Sequence, residues 1–273
     1  MALLHFNFES EYLNNNTDVN IIVPDKKRGV SPAEFYGSGK KYKVLWLLHG
    51  TFGDYTDWLR KSNIELYACE KNLIVVMPSA LNSNYANWNC MIGYNMYDFL
   101  IKELMPLVQG WLPASAARED NFIAGLSMGG NGALLYALNH PEKFAACAVL
   151  SCAPTDFDKI DMDSKEPGMQ RAITSALNAG GLEAYKASYE NLWRLCGEKA
   201  KSGDLPRLYF TVGTNDFLFD RYMEFKAYAK KIGLEAQFRE IEGYTHEWRF
   251  WDLTIQHALD FFGLKGKDEG NPF

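Results

Sequence analysis

The chain has 273 residues, 47% of them hydrophobic, which is enough for one α/β unit with a core on both faces of a sheet. A formal charge of −6, with no basic run longer than Lys26-Lys27-Arg28, argues against nucleic acid or an anionic membrane as a standing partner. No apolar stretch approaches the ~20 residues that span a bilayer, so the expected partner is a small molecule.

The chain opens Met1-Ala2-Leu3-Leu4-His5, without the basic, apolar and small-residue succession of an export signal, and a cytoplasmic location is expected. The five cysteines, Cys69, Cys90, Cys147, Cys152 and Cys196, are scattered and form no C-x-x-C pair, as suits reduced thiols. Cys147 and Cys152 flank an apolar run and are expected in the core, whereas Cys90, in a polar stretch, is expected as an exposed thiol.

Residues 5–9 and 17–23 alternate partly around Asn14-Asn15-Asn16, which predicts an antiparallel edge pair. Residues 44–48 and 74–77 are continuously apolar and predict central strands covered on both faces. Between them and the further strand-like runs at 122–124, 146–150, 208–212 and 236–241 lie segments of helical period, such as Tyr97, Leu100, Ile101, Leu104, Leu107 and Val108. Strand and helix therefore alternate as in a mostly parallel sheet with helices on both faces. Only at 158–204 does the rhythm break, into a charged, helix-prone insertion including 172–179 and 182–196. It suits a cap over a site and a helical pair on a sheet edge equally well. No repeat or linker divides the chain, so one domain spanning 1–273 is expected.

Gly125-Leu126-Ser127-Met128-Gly129 has the spacing G-x-S-x-G, between a predicted strand and a predicted helix. The pentapeptide alone would also suit a glycine-rich turn with an ordinary serine. The strand-to-helix context is what a strained, exposed nucleophile requires, with glycines where backbone would otherwise clash. A phosphate loop fits worse, because Gly130 is followed by Asn131 and not by lysine.

A serine nucleophile needs a base, and the base needs a group that orients it. Of five histidines, His5 is terminal, His49 lies in a glycine-bearing loop, His140 is at a helix end and His257 is inside the last amphipathic helix. His246 follows strand 236–241, at a carboxyl edge where α/β sites assemble. Its successor Glu247 completes no H-E-x-x-H zinc motif, since position 250 is Phe, and neither metal nor cofactor is expected. Asp216 follows strand 208–212 and gives the chain order Ser, Asp, His. Asp156 and Asp158 follow an earlier strand, and Asp220 is expected to cap a helix starting near Arg221. The loop His49-Gly50-Thr51-Phe52-Gly53 follows an early central strand, where the backbone N–H of Thr51, with that of Met128, would form an oxyanion hole. Among the aromatics near such loops, Trp88, Phe217 and Trp248 are candidate substrate contacts, each equally readable as core.

Together Leu47-Leu48-His49-Gly50, Gly125-Leu126-Ser127-Met128-Gly129-Gly130, Gly213-Thr214-Asn215-Asp216 and Thr245-His246-Glu247-Trp248 resemble the esterase D and tributyrin esterase group of α/β-hydrolases. That group includes S-formylglutathione hydrolases and the feruloyl and acetyl esterases of carbohydrate esterase family 1. The resemblance implies the α/β-hydrolase fold, a Ser127-His246-Asp216 triad, an ester substrate such as an acylated carbohydrate or a phenolic ester, and a homo-oligomer. Thr51-Phe52-Gly53 departs from the Leu-Thr-Cys type usual in formylglutathione hydrolases. A thioesterase and an acyltransferase with the same triad stay open as alternatives.

Overall fold

The computed structural model describes residues 1–88, 93–165, 167–264, 266 and 270. Among these residues ten strands are formed: β1 (Ala2–Ser10), β2 (Asn15–Val23), β3 (Val44–Leu48), β4 (Ile74–Pro78), β5 (Asn87–Trp88), β6 (Tyr94–Asn95), β7 (Asn121–Leu126), β8 (Ala146–Leu150), β9 (Arg207–Gly213) and β10 (Ala236–Ile241). Eight of them build one sheet in the order β1-β2-β4-β3-β7-β8-β9-β10, and β5 and β6 form a separate two-stranded ribbon. The pairs β1–β2 and β2–β4 are antiparallel and the remaining neighbours in the large sheet are parallel. The N-terminal antiparallel edge is thus as expected, and its turn carries Asn14 at φ 53°.

The continuous apolar strands are explained by their two faces. Side chains alternate along a strand, so Val44, Trp46 and Leu48 enter one core while Leu45 and Leu47 enter the other. Helices Met128–Asn139 and Phe219–Ile232 cover the first face, contributing Leu134, Leu138 and Phe225. Helices Ile64–Lys71 and Trp248–Phe261 cover the second, contributing Ala68, Ile255 and Leu259. Trp46 Nε1, buried in the first core, donates to Asn121 Oδ1 at 3.0 Å across β3 and β7.

The run around residues 97–108 is helical as expected, as a short α segment, a π-helical stretch Phe99–Leu104 and then helix Met105–Trp111. Two local expectations are corrected. The helical stretch 182–196 is broken into Leu182–Ala187 and Leu192–Lys199, because residues 188–191 turn back through Ser188 and Asn191 side-chain bonds. Asp220 does not cap its helix: Leu218 is the N-cap residue and Asp220 sits in the first turn. The Cys90 expectation falls outside the described residues. Among the described residues no helix is long and apolar enough to cross a membrane.

Because β3, β7, β8, β9 and β10 run parallel, the loops after them meet along one edge of the sheet. Those loops carry Thr51, Ser127, Ser151, Asp216 and His246.

Candidate active site

Ser127 stands between β7 and helix Met128–Asn139 at φ 51°, ψ −118°, a left-handed conformation that side chains other than glycine rarely adopt. Two bonds hold it there: its N–H donates to Leu150 O at 2.8 Å, and its carbonyl accepts from Asn131 N–H at 3.1 Å. The flanking glycines are needed for close approach. A Cβ on Gly125 would fall on the Gly129 carbonyl, and one on Gly129 would fall on the carbonyls of Leu48 and His49. The helix can therefore start against β3 and β7 only if both positions lack a side chain.

Asp216, in the turn after β9, has a fully buried side chain. Its Oδ2 accepts from His246 Nδ1 at 2.8 Å and its Oδ1 from Leu218 N–H at 2.9 Å. Burial pushes this carboxyl up, but the bonds from His246, Leu218 and the Ser151 hydroxyl outweigh it and hold the group below the ordinary carboxylate range. An ionised Asp216 accepts the Nδ1 proton, which leaves His246 Nε2 as the acceptor. The His246 ring is packed edge-on by Trp251, centroids 5.0 Å apart, and Trp251 Nε1 donates to Ser151 Oγ at 3.0 Å. Among the described residues no hydrogen bond joins the Ser127 hydroxyl to His246. Phe217 lines the cavity that holds Ser127, and its ring centroid is 4.7 Å from that of His246.

The loop after β3 is built on His49. Its Nδ1 donates to Gly50 O at 2.7 Å and its Nε2 accepts from Ala80 N–H at 2.9 Å, so it is neutral; burial lowers its proton affinity further. His49 therefore braces this loop through both ring nitrogens. Phe52 turns through φ 63° with its N–H on Asn82 Oδ1 at 2.9 Å. The N–H groups of Thr51 and Met128 have no protein acceptor among the described residues. Gly50 packs against the serine turn: a Cβ there would lie 2.5 Å from Leu126 Cδ1 and 3.5 Å from Ser127 Cβ.

A cavity of about 280 Å³ opens above Ser127. Thr51, Met128 and Phe217 line it, but Trp88 and Trp248 do not. Trp88 Nε1 is bonded to Ser83 O at 2.7 Å, and Trp248 packs edge-on against Trp58 and Trp251. Both are held in packing roles away from the cavity wall. Cys152 packs against the core as expected and also lines that wall, where burial pushes its thiol up to about 11.

The insertion supplies much of the wall: Arg171, Ala172 and Ser175 from helix Pro167–Asn178, and Tyr185, Glu190 and Leu192 from the segments after it. Arg171 binds Asn84 Oδ1 and Thr51 Oγ1, tying this helix to the loop after β3. Nothing in the sequence marked Arg171, Glu190 or Trp251, since a charged helical stretch and an apolar helix position read the same with or without a site. Ser151 could have been found, because it directly follows β8 on the same edge as Ser127. Among the described residues no group of three or more His, Cys, Asp or Glu side chains is arranged to hold a metal ion.

Residues 10–262 match the Esterase family model, described as "Putative esterase". An acetyl esterase of Caldicellulosiruptor saccharolyticus is 29% identical over 272 residues, covering 96% of this chain and 98% of that protein. Two solved structures from Staphylococcus aureus each superpose with a TM-score of 0.78 over 96% of this chain and 98% of theirs. One is the fluorophosphonate-binding serine hydrolase FphF, 30% identical, and the other the S-formylglutathione hydrolase FrmB, 29% identical. With its mostly parallel sheet, antiparallel edge and surrounding helices, the chain has the α/β-hydrolase fold, belongs to the Esterase family and is a serine carboxylic-ester hydrolase.

Proposed function

We propose that Ser127, His246 and Asp216 are the catalytic triad, that the backbone N–H groups of Thr51 and Met128 are the oxyanion hole, and that the substrate is a short-chain acyl ester, acetyl foremost. The observation that carries the reading is the 2.8 Å bond from His246 to a buried Asp216, on the same sheet edge as a serine held at φ 51°. His246 Nε2 takes the Ser127 proton as Oγ attacks the ester carbonyl, then returns it to the departing alcohol; water hydrolyses the acyl-enzyme by the same steps. Nucleophile–base bonds are often long or unformed without substrate and tighten when it is present. Each oxyanion donor would contribute about 3 kcal/mol to lowering the barrier.

The small cavity and the likeness to an acetyl esterase favour a small acyl group. The insertion at 158–204 acts as a cap within one domain, since it walls the cavity and is tied to Thr51 through Arg171. A thioesterase reading is kept because one structural relative is an S-formylglutathione hydrolase. The test is kcat/KM on acetyl, butyryl, octanoyl and feruloyl esters and on S-formylglutathione. Acetyl or butyryl is expected to lead, with Ser127→Ala and His246→Gln each abolishing turnover without changing the circular dichroism. Full activity in either variant overturns the triad, and a preference for the thioester overturns the ester substrate.

A further inference from the structure

Glu190 lies in the break between helices Leu182–Ala187 and Leu192–Lys199, is 7% exposed, and lines the cavity that holds Ser127. Its main chain is fixed on both sides. The N–H donates to Ser188 Oγ at 3.1 Å and the carbonyl accepts from Tyr185 Oη–H at 3.0 Å. Its neighbours are anchored too: the Tyr189 carbonyl accepts from Asn139 Nδ2 at 3.1 Å, and Asn191 Oδ1 accepts from Arg194 N–H at 3.1 Å. Only the carboxyl is left over. Among the described residues no hydrogen bond or ion pair reaches it, and burial alone pushes it up to about 7. A buried acid that faces a cavity with its partners missing is a rare arrangement, because buried polar groups are nearly always hydrogen-bonded.

We propose that Glu190 is a specificity-determining residue: its carboxyl hydrogen-bonds a hydroxyl group of the substrate, so that hydroxylated esters are preferred to their deoxy counterparts. The proposal rests on the reading of Ser127 as nucleophile, which places the reacting ester in this cavity. A hydroxyl suits the site better than an ammonium group for two reasons. Arg171 and Arg221 line the same cavity without a carboxylate partner among the described residues, so a further cation would be repelled. A hydroxyl both donates and accepts, and therefore pairs with the carboxyl whether or not it is protonated. Asn84, Asn131 and Ser175 on the same wall offer further polar contacts to a hydroxylated ligand.

The test compares kcat/KM within two series of esters, for the wild type, Glu190→Gln and Glu190→Leu. One series places the hydroxyl on the acyl side, 3-hydroxybutanoyl against butanoyl; the other places it on the alcohol side, glycerol monoacetate against propyl acetate. In one series the wild type is expected to favour the hydroxylated member by about tenfold or more, through KM and not kcat. Glu190→Leu removes that preference and Glu190→Gln, which can still donate and accept, keeps part of it. The responding series tells which side of the ester the carboxyl meets. Turnover of plain esters with no preference in either series, or a preference that survives in Glu190→Leu, overturns the proposal. Failure of the wild type to hydrolyse any ester overturns the nucleophile assignment and this proposal with it.

Discussion

Replacing Glu190 by Gln keeps the shape of the side chain and removes its proton equilibrium, so the effect on folding can be worked from the structure. Burial without a partner raises this carboxyl from 4.5 to about 7. At about 1.36 kcal/mol for each tenfold change in proton affinity, the full displacement amounts to about 3 kcal/mol. The sign follows from proton binding. The folded protein keeps the Glu190 proton to higher pH than the unfolded chain, so the stability from this group is complete below 4.5 and is lost as pH rises through about 7. Gln suffers no such loss. The stability of Glu190→Gln relative to wild type is therefore expected to rise by about 2–3 kcal/mol between pH 5 and pH 8, measured by urea unfolding at both values. A gap that stays constant with pH, or shrinks, would refute the claim that the carboxyl is buried without a partner.

Asp216→Asn keeps the packing but presents an amide to His246 Nδ1, which favours the wrong tautomer; kcat should fall on the order of 10⁴-fold with little change in KM. Steady-state kinetics on an acetyl ester check this, and a loss below tenfold would remove Asp216 from the triad. Gly125→Ala drives a methyl group into the Gly129 carbonyl, which is backbone and cannot move aside, so a loss of at least about 1–3 kcal/mol is expected in denaturant unfolding. His49 behaves oppositely to Glu190. Burial holds its proton affinity below the ordinary 6.5, so its contribution is present above 6.5 and lost as pH falls through the lower folded value. His49→Gln should then lower stability by about 1–3 kcal/mol at pH 7.5 yet show a shallower decline between pH 6.5 and pH 5, and equal slopes in urea midpoints would count against it.

What could be read from residues alone was whatever depends on near neighbours in the chain. Continuous apolar runs at 44–48 and 74–77 identify strands buried on two faces, because side chains alternate with a period of two. Gly125 and Gly129 around Ser127 identify a strand-to-helix turn, because only glycine lets those backbones touch. Asp216 and His246 were legible by position, each just beyond a strand whose carboxyl end must reach the same edge of a parallel sheet. The tertiary structure decided which side chains share a space. It put Phe217 beside His246, packed Trp88 and Trp248 away from the cavity, and brought Arg171 to Thr51 across 120 residues. It also put Glu190 on the cavity wall with no partner for its carboxyl among the described residues. Such contacts depend on how a helical insertion folds back over the sheet, and local periodicity carries no information about that distance.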